Sequence, residues 1–304
     1  MGRFSLIRWI VYALLPLLIL VIAATIASLL GFGLLWLAGD ILPLAKVISK
    51  ITLVLLLLLS IFPLKNYLQF SWADLGFAPK AIFFKQMRQG LALGLLTLLP
   101  VLLTLYWLDV HIWDDTRHWT VGKIAEKIGL GLFFAMLIAV GEEMLFRGLL
   151  LGALGRKMSM MAAVTISSIY YAALHFLKSK SPLAYADLTP GSGLKLMAEA
   201  FANWLNPQII SALLALFVVG LFLAILRSRV PQSLGLCIGC HAAWVWQIKV
   251  SRDLFNVNLQ ADSLFLVNTY YDGVVGPLVS SWLVFALIVY GVWTQWPAKA
   301  ARGN

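Results

Sequence analysis

The chain has 304 residues, of which 62% are apolar and only 12% charged, with a mean hydropathy of +0.91. A soluble domain carries about twice that charge, so a soluble globular enzyme is excluded. Abundant aromatic residues exclude a disordered chain, and Cys237 and Cys240, the only two cysteines, cannot frame a disulfide-stapled module.

A helix crossing the hydrocarbon needs about 20 apolar residues. Windows of that kind fall at 9–37, 41–64, 89–108, 124–150, 159–177, 207–226, 232–249 and 274–296. They predict an all-α polytopic membrane helix bundle of about eight transmembrane helices, forming one integral membrane domain over residues 1–304. The first window follows Arg3 and Arg8 and runs uncharged to Asp40. That is longer than the apolar region of a signal peptide, so it reads as a retained span, bent near Gly31 and Gly33. Three ordered loops are expected at 65–85, 109–123 and 178–206. In the last, Leu194, Met197, Phe201, Trp204 and Leu205 recur at helical spacing while Lys195, Glu199 and Asn203 take the other face. This pattern predicts a helix lying in the membrane interface, with Pro207 opening the next span.

Placing the N-terminus inside puts 12 Lys and Arg with one acid, Asp74, on the cytoplasmic side, against ten basic and ten acidic residues on the other. The formal charge of +10 is then a matter of topology and attraction to anionic lipid, and no nucleic-acid partner is expected. Short loops and the lack of an organellar transit signal point to a bacterial inner membrane with both termini cytoplasmic.

Ionisable groups inside spans cost about 2.5 to 3.5 kcal/mol each on insertion scales and mark function by default. Here they gather in three helices: Gly141-Glu142-Glu143-Met144-Leu145-Phe146-Arg147-Gly148 in the fourth span, Tyr170-Tyr171-Ala172-Ala173-Leu174-His175 in the fifth, and Cys237-Ile238-Gly239-Cys240-His241 in the seventh. Glu143 and Arg147 are four apart with the acid first, the favourable order for an ion pair. That pairing leaves Glu142 for other work, as a general base in a low-dielectric site. Gly148 and Gly152, four apart, offer a close-approach surface. Two intramembrane histidines and a carboxylate can hold a divalent metal with an open position, through Glu142, His175 and His241, or can orient a water and hold an oxyanion. Both routes lead to hydrolysis, so zinc is a possible cofactor and no other is implied.

Cys237-Ile238-Gly239-Cys240-His241 also spells the c-type haem attachment motif, but its place deep in an apolar span favours coincidence. A variant of that reading makes the two cysteines zinc ligands; the plainer one makes them small apolar residues. A non-enzymatic class stays open as well: a catalytically silent immunity protein or a transporter would use the same charges as a clamp or proton relay.

At these residues the sequence resembles the CPBP family of intramembrane proteases, also called the CAAX protease and bacteriocin-processing or Abi family, which includes the Ras-converting CAAX endopeptidase. The family pattern is Glu-Glu-x-x-x-Arg, then Phe-x-x-x-His, then His-x-x-x-Asn on three helices. Glu142, Glu143 and Arg147 match the first motif, and His175 matches the second with Tyr171 in place of Phe. The third is matched at His241 alone, with Val245 where the family has Asn. Gln247 lies two residues further on, about 200° round the helix axis. The resemblance covers residues 125–250, which it implies to be the catalytic core. It implies an intramembrane endopeptidase in which Glu142 activates water for attack on a peptide carbonyl, with His175 and His241 completing the site. The implied substrate is a membrane-embedded or lipidated peptide or protein; eukaryotic members of the family cut after a prenylated cysteine, and prokaryotic ones are linked to bacteriocin processing or immunity.

Overall fold

The computed structural model describes residues 3–58, 62–179 and 181–300. In chain order the elements are α1 (Arg3–Ala38), α2 (Leu44–Leu56), α3 (Phe62–Tyr67), α4 (Lys80–Trp107), β1 (His111–Trp113), α5 (Val121–Glu143), a π-helical turn at Met144–Leu150, α6 (Leu151–Gly155), α7 (Met160–His175), α8 (Ser192–Ala202), α9 (Ile210–Arg229), α10 (Leu234–Leu254), β2 (Phe255–Val257) and α11 (Pro277–Ala300). The chain divides into two compact units, Met1–Gly76 with Gly141–Pro207 and Phe77–Val140 with Gln208–Asn304.

The helices fall on the expected windows, and the protein is a helical membrane protein. By length and composition, four stretches among the described residues are long and apolar enough to cross a membrane: Trp9–Ala38, Lys80–Trp107, Val121–Gly155 and Pro207–Arg229. Met160–His175 and Pro277–Val292 are shorter apolar helices. In the second window α2 continues through π-helical residues 57–58 and α3 begins at Phe62; the part of the window at 59–61 lies outside the described residues. α10 is long but less apolar, because His241, Gln247, Lys249, Arg252 and Asp253 lie along it; much of its length is buried in protein, which relieves it of the need to satisfy lipid on every face.

In the first unit α1 is continuous for 36 residues, about 54 Å at 1.5 Å per residue. It runs unbroken through Gly31 and Gly33. Gly31 serves the contact with α2, since a methyl there would stand 3.3 Å from Ile48 Cγ1. Ala27 and Leu35 of α1, Leu44, Val47 and Ile48 of α2, and Leu196 of α8 form a buried core. α8 reaches α1 through Gly193, where a Cβ would lie 2.6 Å from Ser28 Cβ. Its inward face is therefore Ser192, Gly193, Leu196 and Ala200, while Leu194 and Leu205 are 42% and 87% exposed. The helix predicted in the 178–206 loop is present over Ser192–Ala202, and the absence of a side chain at Gly193 lets it approach α1 closely.

The second unit is organised by the contact of α4 with α10. Gly90 and Gly94 on α4, and Gly235 and Gly239 on α10, are each spaced four apart. A Cβ on Gly94 would come within 2.5 Å of Cys240 O, and one on Gly235 within 2.7 Å of Phe83 O; on Gly90 and Gly239 it would collide with Leu236 O and Met87 O. The two backbones thus touch at both glycine pairs, as small-residue interfaces allow when no aqueous driving force acts between helices. Trp244 Nε1 donates to Thr97 Oγ1 at 2.8 Å across the same seam. β1 and β2 pair antiparallel, His111 opposite Val257 and Trp113 opposite Phe255. These two strands were not expected, since three residues are too few to show alternation.

Replacing Gly94 with valine forces backbone away from backbone, and overpacking of this kind costs about 1 to 3 kcal/mol. The thermal midpoint of the detergent-purified variant should fall clearly below wild type. Gly33→Ala, at a position with nothing within 4 Å of the added methyl, should leave it unchanged or raise it slightly.

Candidate active site

The last turn of α5 delivers Glu142 and Glu143 side by side, and the π-helical turn that follows carries Arg147. π-turns inside helices are rare and recur at functional sites. Here the wider turn holds Arg147 Nη1 at 3.1 Å from Glu143 Oε1, with the two side chains 1% and 0% exposed. The pair expected from four-residue spacing is formed, and it is fully buried.

The guanidinium carbon of Arg147 lies 4.3 Å from the centre of the Tyr171 ring, a cation–π distance. Tyr171 is 2% exposed. Its ring also meets Phe146 edge-on at 5.3 Å and lies 4.6 Å from the ring of His175. On α7, His175 Nδ1 is 2.7 Å from Tyr171 O. A carbonyl oxygen can only accept, so Nδ1 carries the proton and donates. Nε2 is thereby turned towards Glu142, 3.8 Å from its Oε2. The side chains of His175 and Glu142 are 19% and 24% exposed, in contrast to the Glu143–Arg147 pair.

Glu142, Glu143, Arg147 and His175 therefore come together in the first unit, ordered as a buried ion pair, an aromatic platform and an accessible acid–imidazole couple. The pairing of Glu142 with His175 and the central place of Tyr171 did not emerge from the sequence reading. The signal for Tyr171 was its position, four residues before His175 and where the resembling family has an aromatic residue.

His241 belongs to the second unit, on α10, and is 2% exposed. Val245 stands one turn on, partly buried. Gln247 is committed elsewhere: its Nε2 donates to Gly94 O at 3.1 Å and to Ala243 O at 3.0 Å, clamping α10 to α4. Cys237 and Cys240 are both fully buried and not disulfide-bonded. The Cys237 thiol faces Leu223 O at 3.5 Å, and the Cys240 backbone forms the floor against Gly90 and Gly94. Both are buried within helix packing.

Gly148 and Gly152 do not serve a second helix. A Cβ at Gly148 would lie 3.2 Å from Leu75 O and one at Gly152 3.6 Å from the Phe70 ring, so this pair makes room for the segment that follows α3.

A zinc site needs three or four protein donors within about 2.3 Å of the ion. Glu142 and His175 are two, and Glu143 is engaged by Arg147. Among the described residues no group of three or more His, Cys, Asp or Glu side chains is placed to hold a metal.

A cavity of about 320 Å³ lies in the same unit, lined by Leu145, Phe146 and Leu149 with Leu174 of α7, the residue before His175. Its walls are apolar except for Lys157 and three tyrosines. It offers space for an apolar chain, although neither Glu142 nor His175 lines it.

Residues 124–247 match the model of the family described as type II CAAX prenyl endopeptidase, Rce1-like. The match falls on the stretch that carries Glu142, Glu143, Arg147, His175 and His241 and agrees with the resemblance noted in the sequence. No curated protein and no solved structure matches the chain.

Removing one partner of a buried ion pair costs about 3 to 5 kcal/mol, whereas replacing both with apolar groups of similar volume can be neutral. Arg147→Ala should therefore lower both the accumulated protein and its thermal midpoint in detergent. Glu143→Leu combined with Arg147→Met should recover most of that loss without recovering activity.

Proposed function

We propose that this protein is an intramembrane endopeptidase that hydrolyses a peptide bond of a membrane-embedded or lipidated protein through a water activated by Glu142. The observation that carries the reading is the Glu142–His175 couple, accessible in an otherwise buried constellation. The separation of 3.8 Å between Oε2 and Nε2 exceeds a hydrogen bond, and Oε2 itself has no accessible surface in this structure, so a water that bridges the pair requires the Glu142 side chain to turn.

In this mechanism Glu142 takes a proton as the water oxygen attacks the carbonyl carbon, so that the new C–O bond forms while charge moves to the carbonyl oxygen. Collapse of the tetrahedral intermediate breaks the C–N bond, and the proton held by Glu142 passes to the departing amine. His175, locked through Nδ1–H to Tyr171 O, keeps the Nε2 lone pair aimed at the attacking water. The family resemblance gives His241 an assisting role in holding the oxyanion, a task the absent Asn would share. The apolar cavity beside Phe146 and Leu174 would receive the hydrophobic part of the substrate. We place the protein in a bacterial inner membrane with both termini cytoplasmic, the orientation favoured by the count of Lys and Arg.

A positioned general base contributes about 10²- to 10⁴-fold. Comparison of peptides released in cells expressing each variant should find cleavage reduced at least about 100-fold in Glu142→Gln and lost in His241→Ala, with both proteins accumulating normally. His175→Ala should likewise lose cleavage. Unchanged peptide release in Glu142→Gln would overturn the mechanism and favour an immunity or transport protein using the same charges.

A further inference from the structure

The cavity of about 320 Å³ in the first unit is walled by Leu15 and Ile19 of α1, Leu145 and Leu149 of the π-helical turn, and Tyr170 and Leu174 of α7. Its volume stands at the small end of the roughly 300 to 1,000 Å³ that ligand pockets span. That is room for one hydrocarbon chain.

The polar part of the lining is one-sided. Among the described lining residues there is no Asp or Glu, and Lys157 is the one charged side chain. Lys157 is exposed, and its ammonium lies 5.8 Å from the centre of the Tyr12 ring, a cation–π distance that holds it against the α1 wall. No carboxylate among the described residues pairs with it. The neighbouring cation, Arg156, is spent elsewhere. Its Nη1 donates to Leu68 O at 2.6 Å, its Nη2 lies 3.6 Å from Asp74 Oδ1, and its guanidinium covers the Phe70 ring at 3.9 Å. Of the three lining tyrosines, Tyr170 gives its hydroxyl proton to Ala13 O at 2.6 Å. Tyr12 and the largely exposed Tyr67 retain hydroxyl protons to give. An accessible ammonium with hydroxyl donors and no acid beside it suits an anion.

The depth of this cation matches a lipid head. Lys157 sits in the turn between Val121–Gly155, long and apolar enough to cross a membrane, and the apolar helix Met160–His175. There the chain leaves the hydrocarbon for the headgroup layer. Access to the cavity is lateral, since Leu15 on its α1 wall is 44% exposed and α1 carries another stretch of spanning length.

We propose that this cavity takes one acyl chain of an anionic phospholipid, with the phosphodiester at Lys157 and the second chain left in the bilayer. A zwitterionic head brings its own ammonium, which Lys157 repels and no lining carboxylate receives. One lysine near a membrane surface favours the anionic lipid about fivefold. The cavity is the one assigned above to the hydrophobic part of a substrate. Both occupants use its apolar walls, but lipid binding is measured without cleavage, so failure of one reading leaves the other standing.

The test reconstitutes the full-length protein in phosphatidylcholine nanodiscs with phosphatidylglycerol that carries a diazirine in one chain, and maps the labelled peptides. Label should concentrate on the segments containing residues 12–20 and 145–157. Unlabelled phosphatidylglycerol should displace it about fivefold better than phosphatidylethanolamine of the same chains. Lys157→Met should cut the label about fivefold and erase that preference, and Lys157→Arg should restore both. Leu15→Trp, which fills the cavity from an already exposed position, should remove the label from both segments without changing the thermal midpoint. Equal competition by phosphatidylethanolamine overturns the proposal, as does label indifferent to Lys157→Met. Label spread over all apolar helices and untouched by Leu15→Trp reports only the lipid that surrounds any membrane protein, and overturns it too. Stronger displacement by a fatty acid than by phosphatidylglycerol would make the ligand a free acid and equally overturn it.

Discussion

An arginine set in an apolar helix has to find its counter-charge within a few ångströms, and the first unit is arranged around that requirement. Arg147 meets Glu143 one turn back along the chain, with neither side chain reaching solvent. A buried pair of this kind is weak as a source of stability but severe as a constraint on geometry, because displacing either member strands the other. The widened turn at Met144–Leu150 carries that cation, and the ring of Tyr171, whose carbonyl also fixes His175, lies against its guanidinium. The accessible pair, Glu142 and His175, is what remains when the inner charges have been neutralised. Two adjacent glutamates thus acquire different environments through a one-residue difference in helix phase.

The second unit solves a different problem. Within lipid, helices gain nothing from hiding apolar surface from water, so their association must come from contact and from polar links. α4 and α10 obtain contact by removing side chains at Gly90, Gly94, Gly235 and Gly239, and polar links from Trp244 to Thr97 and from Gln247 to Gly94 O. Gln247 illustrates how one amide can serve in a dry interior: its two donors reach Gly94 O on α4 and Ala243 O on its own helix.

Much of this was legible in the residues. The apolar windows gave the helices, and four-residue spacing gave the Glu143–Arg147 pair, because both depend on period alone. The breaks came where tertiary contact decides. α8 packs by Ser192, Gly193, Leu196 and Ala200, a face that its larger apolar residues did not mark. The glycine pair singled out in the sequence, Gly148 and Gly152, accommodates a connecting segment, whereas the pairs that join two helices, on α4 and α10, carry the same spacing and drew no notice. Spacing identifies a surface that can be approached closely and is silent about what approaches it. The π-turn left no periodic trace, since it spans only seven residues, and the facing of Glu142 by His175 depends on how α7 meets the end of α5, which no local pattern encodes.

The burial of both cysteines has a practical side. Thiol reagents act on accessible thiolates, and Cys237 and Cys240 present no surface to them. The natural protein is therefore already a silent background for cysteine labelling. Single cysteines can be placed along the loops at 65–85, 109–123 and 178–206 and read with membrane-impermeant reagents, with no need to replace the native pair at a seam where backbones touch and a change of one methyl group is felt.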